Sequence, residues 1–272
     1  MEPFRGVDIM RVRDGSARAA IDRAATEEPL EVRLHGHPFA VIMRTPGADR
    51  ELAAGFLLSE RVLKTADDLG TIEHCTDSAA EHPENIVNVT LANGSAGSLD
   101  RVLADRRQVA TNSSCGLCGR RTIESLNADT PRITATWILE RGVLLKMPDR
   151  LREAQAVFDE TGGLHAAGLF SRSGVLEQFA EDVGRHNAVD KVVGRMLMRE
   201  ALPLDAHALF VSGRASFEIV QKAIIAGIPV VASVSAPSTL AIDLATDGGV
   251  TLVGFVRGQG FNVYSHPSRL AL

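Results

Sequence analysis

The chain has 272 residues, enough for one large domain or two small ones, and its 45% hydrophobic and 23% charged composition is that of an ordinary globular protein. A net charge of −5 excludes a basic field for nucleic acid, and 4% aromatics with a single Trp137 and a single Tyr264 leave no base-stacking platform. Three cysteines are too few, and too odd in number, for a secreted disulfide scaffold, and they fit a reducing compartment.

The first 30 or so residues scatter charges where a signal peptide would place an apolar core, and they read as a loose arm. Glu31 to Gly47 then reads as two strands joined at His35-Gly36-His37-Pro38 and closed by a turn at Pro46-Gly47. Asp49 is placed to cap a helix with Leu52, Phe56 and Leu57 on one face. A polar stretch from Asp67 to Asn85 leads into an alternating strand carrying Val87, Val89 and Leu91. The Gly/Ser-rich run from Asn93 to Arg101 is the candidate connection between residues 1–104 and 105–272.

Pro148 suits the first turn of a helix carrying Leu151, Ala154 and Phe158 and ended by Gly162-Gly163. His165 to Asp182 reads as a hairpin around Arg172-Ser173-Gly174, and a helix follows from about His186. From His207 the pattern becomes strand, helix, strand, helix, strand, which implies a parallel sheet covered on both faces. Ligands in such sheets sit at the carboxyl ends of the strands, here Ser212 to Arg214, Ser233 to Pro237 and Val256 to Gly260. The most apolar stretch, Ile219 to Ala245, is broken by Lys222, Pro229, Pro237 and Asp243 below spanning length. The expectation is a soluble intracellular protein with a small mixed α+β lobe and a larger α/β lobe that carries the chemistry.

Cys115-Gly116-Leu117-Cys118-Gly119 is the first motif that could carry chemistry. A thiolate at a helix start is stabilised by free N–H groups, and Arg120 and Arg121 add positive charge. The pair could be half of a structural zinc site or a redox dithiol. Zinc needs four ligands, a second C-x-x-C is absent, and the other candidates are Cys75, His74, His165 and His186. A thioredoxin-like role fits poorly with a mid-chain position. Hydrolytic deamination wants H-x-E before P-C-x-x-C, whereas Ala167 stands where the Glu would be, Ser114 replaces the Pro, and the order is reversed.

Glu181 to Lys191 (EDVGRHNAVDK) is the second motif, dense in charge just before an amphipathic helix. By itself it reads as a capped helix start with solvated charges, a costly density unless the groups serve one another or a ligand. With His165 it brings a second histidine to the neighbourhood. No phosphate-binding P-loop or dinucleotide fingerprint is present. Arg214 and Arg257, each in a Gly-containing loop at a strand end, suggest an anionic ligand such as a nucleotide diphosphate.

In combination, SSCGLCGR, TGGLHAAG, EDVGRHNAVDKVVGR, SGRASFEIVQKA, VSAPSTLAIDLA, TLVGFVRG and YSHPSRL resemble the FdhD family of formate dehydrogenase accessory sulfurtransferases. The N-terminal EEPLEVRLHG and TPGADRELAAGFLLSE extend that resemblance over nearly the whole chain. One departure is Arg61, where the family often has Gly.

The resemblance implies a cytidine deaminase-like α/β/α lobe and a cytoplasmic homodimer. It implies a sulfur carrier loaded by a cysteine desulfurase as a persulfide on Cys115, with Cys118 as helping thiol. The cargo it implies is a molybdenum (or tungsten) bis(molybdopterin guanine dinucleotide) cofactor, sulfurated before insertion into formate dehydrogenase, with no catalytic metal of the protein's own. The cofactor-binding stretch would be Phe255, Val256, Arg257, Gly258, Gln259 and Gly260. The Ser-, Asn- and Gly-rich loop from Val109 to Arg120 would give Cys115 the exposure and mobility such transfer needs. His165, Arg185 and His186 would help with protonation or cofactor contact. A cofactor chaperone without sulfur transfer and a zinc-dependent nucleotide hydrolase are the alternatives.

Overall fold

The apolar runs at His207–Val211 (β10), Val230–Ser233 (β11) and Thr251–Arg257 (β12) form the parallel centre of a six-stranded sheet. The structure is a computed structural model, and it describes residues 2–92 and 132–272. Cys115 and Cys118, the Asn93–Arg101 connection and the boundary at 104/105 lie outside the described residues.

The sheet is mixed and not wholly parallel. The hairpin of His165–Ser171 (β8) and Leu176–Asp182 (β9) adds antiparallel to β10, and Gly260–Ser265 (β13) adds antiparallel to β12. The resulting order is β13-β12-β11-β10-β8-β9. The two crossover helices, Phe217–Ile225 (α6) and Thr239–Gly248 (α7), lie with Arg185–Met198 (α5) on one face of the sheet. On the other face Leu139–Glu140 (β7), Arg141–Leu144 (α2) and Met147–Ala154 (α3) bury Leu139, Leu144, Met147 and Leu151 against Phe170, Phe210 and Val253. This is a three-layer α/β/α arrangement, as expected. β7 pairs with the C-terminal strand Leu270–Ala271 (β14).

The first lobe is a four-stranded sheet, order β4-β3-β6-β5, from Glu28–Leu34 (β3), His37–Arg44 (β4), Leu69–His74 (β5) and Ile86–Leu91 (β6). The β3–β4 turn is His35-Gly36, both at positive φ, which matches the strands' twist. The polar stretch from Asp67 to Asn85 contains β5, an edge strand that buries Ile72 while Thr71 and Glu73 face solvent.

Helix Asp49–Ser59 (α1) packs on α5 so closely that neither contact position tolerates a side chain. A methyl group at Gly194 would lie 1.9 Å from the Glu51 carbonyl oxygen, and one at Gly55 would lie 2.0 Å from that of Asp190. One hydrophobic cluster therefore runs from Leu30, Leu52 and Val87 through Val189 and Val193 to Leu209 and Ile224. Arg61, just past the end of α1, has φ 62, a left-handed conformation that glycine adopts without strain.

Three further expectations are corrected. Residues Phe4–Arg13 (β1) and Ser16–Ala25 (β2) form a hairpin, not a loose arm. Its turn is Asp14-Gly15, both at positive φ, and it shows no apolar alternation because Met10, Val12 and Ile21 remain exposed. The helix from Pro148 is two, α3 and Ala156–Thr161 (α4), broken at Gln155 with ψ 67 and ended as expected by left-handed Gly162. Asp49 does not cap α1. Ala48 occupies that position, and Asp49 turns inward to accept two 2.9 Å bonds from the fully buried Arg44 guanidinium. Among the described residues no helix is long and apolar enough to cross a membrane.

Candidate functional site at the carboxyl edge of the central sheet

Because β8 runs antiparallel to β10, its first residue lies at the edge where β10, β11 and β12 end. His165 therefore sits opposite Asp182, the last residue of β9, and beside the loop that leaves β10. A methyl group at Gly213 in that loop would lie 3.3 Å from His165 Nδ1 and 3.7 Å from Arg185 Cδ. The fold thus brings together His165, Arg185, His186 and the Ser212-Gly213-Arg214 loop.

The loops after β10 and β11 have the same shape and pair through a bridge between Ala215 and Pro237. Each ends in a serine at a helix N-cap, Ser216 for α6 and Ser238 for α7. Ser238 Oγ accepts from the Ala241 amide, whereas Ser216 Oγ turns to His186 Nε2 at 3.1 Å. The same nitrogen is 2.8 Å from Glu218 Oε2, at ion-pair distance but without hydrogen-bond alignment. His186 and Glu218 are both buried, and the Arg185 Nε beside them has no hydrogen-bond partner among the described residues. Burial, then the nearby Arg185 and His186 charges, hold His165 below the usual histidine range, with Asp182 pulling weakly the other way.

The remaining charges of the EDVGRHNAVDK run are not solvated, which corrects the expectation for that run. Asp182 is fully buried. It pairs with Lys191 Nζ at 2.7 Å, and accepts bonds from the Thr45 and Gly184 amides and from Asn187 Nδ2. Asp190 accepts from Lys222 Nζ at 2.7 and 2.8 Å and from Ser59 Oγ at 2.9 Å. Burial nevertheless raises its pKa, against the opposing pull of Lys222. Gly184, Asn187 and Lys191 belong to the run itself, but the Lys222, Ser59 and Thr45 partners lie 32 to more than 130 residues away, so no local pattern could have revealed those.

The Phe255–Gly260 stretch ends β12 and turns at Gly258-Gln259 into β13 on the same edge. Val256 is fully buried and anchors it, while Phe255 is exposed at φ 56 and Arg257, Gly258, Gln259 and Gly260 are exposed. Arg257 Nε donates to the Val234 carbonyl at 2.7 Å, with its guanidinium 5.7 Å from the Phe255 ring centroid. The exposed Arg257, Gly258, Gln259 and Gly260 on this hairpin are thus accessible to an anionic group. Of the zinc candidates, His74 lies in β5 and Cys75 just past it in the first lobe, apart in the fold from His165 and His186.

Sequence reasoning missed a cleft of 610 Å³ that opens next to His165 and Ser212. It runs between the α3–α4 break and the sheet, and Val234 forms part of its wall.

Comparison with known proteins gives a consistent picture. The sequence pattern of the FdhD/NarQ family matches residues 25–271. A sulfur carrier protein FdhD of Streptomyces avermitilis is 51% identical over 277 residues, covering 97% of this chain and 94% of its own. One of Sulfolobus acidocaldarius is 44% identical over 272 residues, covering 99% of each chain. A crystal structure of a protein assigned as a formate dehydrogenase accessory protein of Desulfotalea psychrophila superposes with a TM-score of 0.78 at 26% identity, covering 99% of this chain and all of that one. The match spans both lobes and the whole carboxyl edge, and the chain belongs to the FdhD/NarQ family.

Proposed function

We propose that the protein is a sulfur carrier that serves formate dehydrogenase, taking sulfur from a cysteine desulfurase and delivering it to a molybdenum bis(molybdopterin guanine dinucleotide) cofactor. The observation that carries this reading is the near full-length similarity to proteins named sulfur carriers in both a streptomycete and an archaeon. In the first step the Cys115 thiolate attacks the outer sulfur of the donor's cysteine persulfide. The donor's S–S bond breaks, the donor leaves as a thiolate, and Cys115 ends as a persulfide. In the second step the Cys118 thiolate attacks Sγ of Cys115 and expels hydrosulfide as a ligand for the cargo metal. The Cys115–Cys118 disulfide that remains is reduced by a dithiol before the next cycle.

The carboxyl edge supports the cargo half of the reading. Arg185, Arg214 and Arg257 border it, and the Phe255–Gly260 hairpin offers exposed backbone and a guanidinium to a phosphate. The working unit in this reading is a cytoplasmic homodimer without a metal of its own. Incubation with a cysteine desulfurase and cysteine adds one sulfur mass to the Cys115 peptide. Cys115→Ala abolishes formate dehydrogenase activity in cells lacking the native protein, whereas a cofactor chaperone without sulfur transfer would retain it.

A further inference from the structure

At the amino ends of the parallel strands, Arg132, Thr134, Thr136 and Trp137 line one side of a 740 Å³ groove, and Pro203, Asp205 and the end of α6 line the other. Pro203 and Asp205 lead into β10, Gly227 leads toward β11, and Arg172 follows the antiparallel β8. The groove therefore lies at the opposite end of the strands from the Phe255–Gly260 hairpin.

Residues 132–137 alternate as an extended chain does: Ile133, Ala135 and Trp137 are half-buried, while Arg132, Thr134 and Thr136 are exposed. The inward side is tied down, because the Ile133 amide donates to the Gly248 carbonyl at 2.8 Å and the Ala135 carbonyl accepts from Arg269 Nε at 2.6 Å. Backbone groups of an extended chain change sides with the same period of two as its side chains, so those of Thr134 and Thr136 point the other way. Neither residue makes a hydrogen bond among the described residues. An open backbone edge of this kind is where an incoming strand adds.

The charges say what kind of strand. Arg132 and Arg172 are exposed, line the groove and have no ion-pair partner among the described residues, against one lining carboxylate, Asp205. The Trp137 indole donates from Nε1 to the Asp205 carbonyl at 2.6 Å and carries the Arg172 guanidinium 5.3 Å from its ring centroid, which holds that cation against the groove. In a chain of net charge −5, this groove is locally positive.

We propose that this groove docks an extended acidic segment of a partner protein, its main chain paired with Thr134 and Thr136 and its carboxylates on Arg132 and Arg172. Side chains on the alternate face of that segment meet Pro203, Ile224 and Ile225, so the segment is acidic on one face and apolar on the other. A partner held here leaves the carboxyl edge open. The docking groove goes beyond the sulfur-carrier reading and stands or falls without it.

Trp137 is the only tryptophan of the chain, so intrinsic fluorescence reports on the groove directly. The probe is an end-blocked peptide of alternating glutamate and valine, titrated into the full chain at low salt. Its binding shifts the Trp137 emission saturably. The same peptide with lysine for glutamate binds about tenfold more weakly, and so does the acidic peptide methylated at every backbone nitrogen, which removes its main-chain donors. Arg132→Gln and Arg172→Gln each weaken binding about fivefold. Thermal unfolding of both variants is unchanged, since neither guanidinium makes an ion pair among the described residues. The proposal is overturned if no saturable shift occurs, if the lysine peptide binds as well, if methylation leaves the affinity unchanged, or if both variants bind as the parent does. Sulfur loading of Cys115 is measured without the peptide, so failure of either result leaves the other standing.

Discussion

Two sets of charged side chains come from the same short run and from its packing neighbours, and they are treated in opposite ways. Asp182, Asp190, Lys191 and Lys222 are buried, and Asp182 and Asp190 accept bonds from several donors each. Among the described residues, Arg185, His186 and Glu218, one turn or one helix away, are incompletely matched: a guanidinium nitrogen without a partner and a carboxylate held at ion-pair distance without alignment. A buried ion pair contributes little net stability over an apolar pair, but removing one member is costly. The first set therefore fixes how the two lobes meet. The second keeps unsatisfied capacity at the carboxyl edge, where the proposed cargo would bind, and the difference separates scaffold from candidate site.

The largest effect that would sharpen this contrast is at the scaffold. Lys222→Met strands the Asp190 carboxylate and costs about 3–5 kcal/mol in urea unfolding at pH 8. Burial already raises the Asp190 pKa and Lys222 opposes that rise, so its removal sends the pKa further up. A raised carboxylate pKa opposes folding increasingly as pH climbs through it, so the variant's deficit shrinks between pH 8 and pH 5. A deficit independent of pH would show that Asp190 is not the group left unpaired. Next in size is Gly194→Ala, which forces α1 and α5 apart against backbone and loses about 1–3 kcal/mol or more.

At the site the expectation reverses. Arg185→Gln leaves stability within about 1 kcal/mol but moves the His165 imidazole midpoint upward in an NMR titration, because a neighbouring positive charge has gone. A large stability loss there would place Arg185 with the scaffold set. The smallest effect is at Arg61. Replacing this left-handed residue with glycine relieves its strain and raises stability by about 0.5–1 kcal/mol in the same unfolding assay.

Much of the fold was legible because it follows local rules. The apolar runs of β10 to β12 and the Gly and Ser punctuation of α6 and α7 declare their elements directly. The β1–β2 ribbon was hidden because exposed strands carry no alternation, although Asp14-Gly15 was a usable turn signal. Asp49 was misread because its partner, the buried Arg44, lies in a different element. At the site, His165, Arg185, His186 and Arg214 were legible as chemistry-bearing types. Their juxtaposition was not, since it depends on β8 running antiparallel to β10.

The central claim is that sulfur passes through Cys115, and intact-peptide mass spectrometry after incubation with a cysteine desulfurase and cysteine tests it directly. The account predicts one added sulfur on the Cys115 peptide, removed by a thiol reductant and retained longer in Cys118→Ser, where the attacking thiolate is missing. No added sulfur on Cys115 under conditions where the desulfurase itself carries a persulfide would contradict it.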